Sequence, residues 1–239
     1  MSDFLLIQIR DPDDEIRFHE IECFAAAAGV AQDAIRIHDL LNGLVTHDVL
    51  QNAACIFIGG SGRYSAAGEG EWLDQALQSL RTVHASGIPT FASCWGHQAM
   101  ARAMGGTVVH APEYAEVGSM EMRLTESGRA DPVFAGLPDP FRAQVGHEDT
   151  VTELPPNTTL LASSDRCLTH AYRFTNAPVY CTQFHPELQR ADLMKRLDAY
   201  PEYVESIAGV PMEQFKQKTV ETPEASQLIR RFLEATSLT

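Results

Sequence analysis

Three short stretches of this chain carry side chains that do covalent chemistry when they meet. In "ASCWGHQ" (92–98), Cys94 stands between an apolar run and a helix-like segment, with small residues two before it, Ala92, and two after it, Gly96. That spacing suits a nucleophile elbow, whose sharp strand-to-helix turn crowds both flanking positions. A thiol presented there meets the free N–H groups of a helix N-terminus, which favour thiolate over thiol. In "TQFHPEL" (182–188), His185 lies two residues before Glu187 at the end of another apolar run. Residues i and i+2 of extended backbone point the same way, so Glu187 can orient the His185 ring and stabilise its charged form. In "FIGGSG" (57–62), the glycines free backbone N–H groups, and the Gly60 N–H could join that of Trp95 in binding a tetrahedral oxyanion. Each stretch alone has a plainer reading: a small buried thiol, a satisfied strand-end histidine, an ordinary strand-to-helix turn. Together they supply a nucleophile, a base with its orienter, and oxyanion donors.

The surrounding pattern explains how such residues would be positioned. "FLLIQI" (4–9) and "AACIFI" (53–58) read as buried strands, "AIRIHDL" as a second short strand, and "IPTFAS" as the strand leading to Cys94. Helices are expected in "IRFHEIECFAAAAGV", closing at Gly29, in "EGEWLDQALQSLRTVHASG", and in "WGHQAMARAMGG". Alternation this regular implies a mostly parallel sheet with helices on both faces, where reactive groups gather at the carboxyl ends of strands. Beyond Gly106, "TVVH", "SMEMRLTE", "FRAQVGHEDTVTEL" and "TLLASS" read as antiparallel additions to that sheet. "APVYCTQFHPEL" supplies a further strand, and the chain after Leu188 reads as helical, broken at Pro201 and Pro211, with a last helix in "ASQLIRRFLEAT". The expected organisation is one domain over 1–239, with a core of about 1–190 and a helical extension over 191–239. Residues 191–222 read as a lid or docking insertion.

Composition narrows the classes. At 239 residues with 44% hydrophobic content, the chain can bury a substantial core. A net charge of −14 with three lysines disfavours general attraction to nucleic acid or anionic membranes. No apolar run nears the roughly 20 residues that span a bilayer, and the start has no basic segment followed by a long apolar one, so a cytoplasmic location is expected. The five cysteines are odd in number and never form C-x-x-C, which indicates neither a disulfide framework nor a thiolate zinc site. No metal or cofactor is expected. His19, His38, His47, His84, His110 and His170 read as surface or loop residues, and "DPDDE" as a solvated turn.

Taken in order and spacing, "FIGGSG", "ASCWGHQ" and "QFHPE" resemble the class I glutamine amidotransferase family over roughly residues 40 to 190. "GHEDTVTELP" (146–155) is similar to the corresponding segment of the amidotransferase part of GMP synthases, so the nearest resemblance is to stand-alone, GMP-synthase-like members. The resemblance implies a flavodoxin-like three-layer α/β sandwich and a triad of Cys94, His185 and Glu187. It implies an oxyanion hole from the backbone of Gly60 and Trp95. Gln98 and Gly62 fall where the family binds glutamine, and His147 and Glu148 where a loop approaches the α-amino and carboxylate end. The substrate implied is glutamine or another γ-glutamyl compound, and the partner a separate ammonia-accepting synthetase. The chain departs from the family pattern at Ala92 and Ser93, which replace glycine and an aliphatic residue. It departs also at "GGSG" for glycine-glycine-proline and at "HED" for histidine-glycine-aspartate.

Other readings of the same residues are a γ-glutamyl peptidase or hydrolase with the same triad, a non-catalytic partner subunit that keeps the fold, and a metal site from Cys94, His97, His185 and Glu187. No G-x-x-x-x-G-K-[ST] phosphate loop is present, so a synthetase would have to be a separate protein.

Overall fold

Residues 3–201 and 204–238 are described by a computed structural model. Five strands run parallel in one half of a nine-stranded sheet: β1 (Asp3–Ile9), β2 (Ile35–Asp39), β3 (Ala53–Ser61), β4 (Thr90–Ser93) and β11 (Val179–Thr182). The other half is antiparallel: β6 (Glu116–Leu124), β7 (Phe141–His147), β9 (Thr158–Ser163) and β10 (Ala171–Phe174). The order is β2-β1-β3-β4-β11-β10-β9-β6-β7. The sheet is thus mixed, and its parallel half carries the candidate chemistry. Two expectations change. "TVVH", now β5 (Thr107–His110), joins no part of the main sheet and pairs instead with β8 (Asp149–Glu153) in a separate ribbon. "FRAQVGHEDTVTEL" is two strands, β7 and β8, parted at Glu148, so the segment belongs to two sheets and its hydrophobic alternation breaks there.

Period-two alternation in the parallel strands sends their side chains to two helical layers. Phe4, Leu6, Cys55, Phe57 and Phe91 pack with α1 (Ile16–Ala28) and α8 (Leu228–Ala235). Leu5, Ile7, Ile56, Ile58 and Ala92 pack with α3 (Glu71–Ser86) and α4 (Trp95–Ala103) on the other face. Phe232 of α8 stands edge-on to Phe91 of β4 at 5.4 Å and to Tyr180 of β11 at 5.6 Å. α1 ends where expected, at Gly29, whose φ of 72° lets its N–H turn back to the carbonyls of Ala25 and Ala26. The short helices α2 (His47–Leu50) and α5 (Glu126–Ala130) begin at Thr46 and Thr125, whose hydroxyls accept from N–H groups of the first turn.

The extension forms α6 (Arg190–Ala199), a π-helical turn (Val204–Ala208) and α7 (Met212–Lys218). Leu193 and Leu197 of α6 join Leu188, Cys23, Val117, Val204 and Phe215 in a third apolar cluster. Each buried leucine there contributes about 2 kcal/mol relative to exposure. α6 is further tied to α1 by an ion pair between His19 Nε2 and Asp192 Oδ1 at 3.0 Å. His19 is therefore buried, not a surface residue, and so is His170, at 0% exposure. Among the described residues, no helix is long and apolar enough to cross a membrane.

Candidate active site

β4 lies between β3 and β11, all three parallel, so their carboxyl ends open on one place. β3 ends in Gly60 and Ser61, β4 runs into Cys94, and β11 leads to His185 and Glu187. Cys94 is the residue before α4, at φ 52° and ψ −106°. A non-glycine residue so placed costs about 1–3 kcal/mol, which the surroundings must repay. Here the Cys94 N–H donates to the Thr182 carbonyl of β11 at 2.8 Å, and its carbonyl accepts from Gln98 N–H at 3.1 Å. The flanking small residues are explained by contact. A Cβ on Gly96 would lie 2.8 Å from both the carbonyl oxygen and Cγ2 of Ile58, and Ala92 is fully buried. Gly96→Ala should therefore push α4 off β3, costing about 1–3 kcal/mol as overpacking. Thermal unfolding that matches the parent would refute this account of the elbow.

His185 Nδ1 donates to Glu187 Oε1 at 2.6 Å, and both residues are buried. Burial alone would lower the His185 pKa. The negative charges of Glu187 and Cys94 outweigh it and raise the pKa to about 9. Burial would likewise raise the Glu187 pKa, and the His185 charge, helped by Arg196, holds it below the ordinary carboxylate value. Gly60 abuts both partners: a Cβ there would sit 3.3 Å from His185 Cε1 and 3.8 Å from Cys94 Cβ. Trp95 is the first residue of α4, so its N–H belongs to those with no acceptor inside the helix. The Gly60 N–H, by contrast, donates to Glu20 Oε1 at 3.1 Å.

Cys94 separates two cavities. One, of about 140 Å³, is lined by Gly62, Gln98, His147, Glu148 and Asp149 among others. Within it, Gln98 Nε2 donates to the Asp149 carbonyl and to Gln183 Oε1, while Asp149 binds His110 through Oδ1 and Ser65 through Oδ2. The His147 ring is fixed from behind, its Nδ1 donating to the Asp149 carbonyl and its Nε2 lying 3.2 Å from Glu116 Oε2. His170 Nε2 donates to the same oxygen at 2.7 Å. Burial would raise the Glu116 pKa, and hydrogen bonds from the two histidines draw it well below the usual carboxylate range. The other cavity, of about 60 Å³, lies on the His185 side and is walled by Leu188, Leu193 and Leu197 with Arg10, Arg196 and Tyr200. His97 is not part of either, since its Nε2 donates to the Thr169 carbonyl at 2.8 Å in the interior.

Several residues around the site escape the motifs. Glu20 is fully buried and accepts from Arg10 Nε and Nη2, Gln8 Nε2 and the Gly60 N–H. Arg10 also binds Asp14, so the "DPDDE" turn is anchored rather than merely solvated. Arg196 reaches in from α6. A signal for Glu20 exists in the sequence: it sits four residues after Ile16 and four before Phe24, a carboxylate on the buried stripe of α1.

The profile described as "Glutamine amidotransferase class-I" matches residues 26–196. The amidotransferase subunit of a two-part, glutamine-hydrolysing GMP synthase from Methanopyrus kandleri is 33% identical over 142 residues, 59% of this chain and 71% of that protein. Its namesake from Pyrococcus abyssi is 38% identical over 105 residues, 44% of this chain and 54% of that protein. A solved glutamine amidotransferase from Thermotoga maritima superposes with a TM-score of 0.76 over 100% of both chains at 20% identity, a likeness of fold. The match to the profile covers most of the chain, and the chain belongs to the class I glutamine amidotransferase family.

Proposed function

We propose that this protein hydrolyses the side-chain amide of glutamine at Cys94, giving glutamate and ammonia. The observation that carries the reading is the meeting of three parallel strand ends: Cys94 at its strained elbow, the buried His185–Glu187 pair, and Gly60 packed against both. The Cys94 thiolate attacks the amide carbon, and the oxyanion so formed takes the Trp95 N–H and, once released from Glu20, the Gly60 N–H. His185, held as an imidazolium, gives its proton to the departing ammonia. A γ-glutamyl thioester is left. Acylation removes the negative charge on Cys94 that helps raise the His185 pKa, so the neutral ring is then the better base for the water that releases glutamate. Gln98, Gly62, His147 and Glu148 line the cavity that would hold the amino-acid end. The ammonia would pass to a separate synthetase, as the resemblance to GMP synthase subunits implies.

A γ-glutamyl peptidase is the second reading, favoured by Glu148, which lines that cavity where the family has glycine. Glutamine and γ-glutamyl dipeptides assayed side by side across pH test both. Glutamine turnover is expected, with kcat/KM falling above about pH 9 as His185 loses its proton. Inert glutamine beside reactive dipeptides would overturn the amidotransferase reading.

A further inference from the structure

The Glu187 carboxylate is 2% exposed, its Oε2 has no hydrogen-bond partner, and its Oε1 is bonded by His185 alone among side chains. A carboxylate buried so thoroughly and served by one neutralisable partner should take up a proton. Compensation must come from a second charge. Arg196, on α6, places Nη1 3.7 Å from Glu187 Oε1 and Nη2 4.0 Å from Glu20 Oε1, with its side chain 9% exposed. Those separations exceed hydrogen-bond length, and Arg196 Nε and Nη2 have no hydrogen-bond partner. The guanidinium therefore acts on Glu187 as a charge.

We propose that Arg196 is a positioning residue of the Cys94 site, its guanidinium keeping the Glu187 carboxylate charged and so paired to His185, from a helix that lies outside every motif. The proposal rests on the reading of Cys94, His185 and Glu187 as the triad. Other charged or titratable groups do not substitute for it. Arg10, at the end of the pocket opposite α6, is committed to Glu20 and Asp14. From α1, His19 is paired with Asp192 of α6 itself, and the Cys23 thiol is pushed up to about 12 by burial and so stays neutral. Tyr200 donates its hydroxyl proton to Asp14. Among the described residues, Arg196 is the permanent cation left for Glu187. Its place is secured by the packing of Leu193 and Leu197 and by the His19–Asp192 pair.

Neutralising that charge should make the anions of the site harder to form. The variants are Arg196→Gln, Arg196→Met, whose apolar stem suits the leucines beside it should the glutamine variant fail to fold, and the charge-keeping Arg196→Lys. Each is measured for glutamine hydrolysis and for alkylation of Cys94 by chloroacetamide as a function of pH. The neutral variants are expected to lose about tenfold or more in kcat with KM little changed. The acid limb of both profiles should move up by about one pH unit, with the lysine variant near the parent. If the parent neither turns over glutamine nor alkylates at Cys94, the triad reading itself fails. If the parent does both and the neutral variants keep its acid limb, Arg196 is only a structural residue and the proposal is overturned.

Discussion

Cys94→Ala is expected to abolish glutamate release from glutamine, by roughly 10⁴-fold or more, while leaving the fold intact. The loss is large because no other group at the three strand ends can form the acyl bond: the remaining cysteines, Cys23, Cys55, Cys167 and Cys181, are all buried in the interior. The fold should survive because the sulfur contributes little, its contact with the Gly146 carbonyl being a long one of 3.6 Å. The backbone bonds to Thr182 and Gln98 that hold the elbow do not use the side chain. Alanine is strained at φ 52° just as cysteine is, so the elbow gains no relief. Calorimetry should still detect glutamine binding in the cavity beside Gln98 and His147. Release of glutamate at the parent rate would remove Cys94 from the mechanism.

Glu20→Ala is expected to be the most damaging change away from the nucleophile, at about 3–5 kcal/mol. It strips Arg10, which is 2% exposed, of its bidentate partner and leaves that cation with Asp14 alone. It also frees the Gln8 amide and the Gly60 N–H in the interior, each an uncompensated donor. For a chain of this size the melting temperature should fall by something on the order of 10 °C. Glu20→Gln, which keeps the shape and one acceptor oxygen, should fall less. A thermal midpoint unmoved by the alanine variant would mean that this cluster does not hold the loop after β3. The same cluster explains Gly59: a Cβ there would lie 2.4 Å from Glu20 Oε1, a side chain pinned by its own bonds.

The triad and the parallel half of the sheet were legible because each is local. His185 and Glu187 are two residues apart, Ala92 and Gly96 frame Cys94 at fixed offsets, and strands and helices of the first hundred residues alternate with clear stops at Gly29 and Gly87. What was not legible depends on partners far apart in the chain. Glu116 meets His147 from 31 residues away and His170 from 54, so nothing around His170 announces that it is buried. Ala171–Phe174 is a strand of four residues, too short to show alternation. The break at Glu148 was hidden because the apolar run continues across it into a second sheet. Arg196 reads as one more charge on a polar helix until Glu187 and Glu20 are placed on either side of it.

The contact of Phe232 with Phe91 and Tyr180 bears on how variants of this protein should be interpreted. One ring at the far end of the chain touches both the strand that carries the nucleophile and the strand that leads to its base. Those two strands must keep their spacing for Cys94 and His185 to stay in register. A lesion in the last helix would then present in an assay as a damaged triad, with every triad residue unaltered. A screen that scores activity alone would assign it to the wrong place, and a folding measurement on the same sample would correct the assignment.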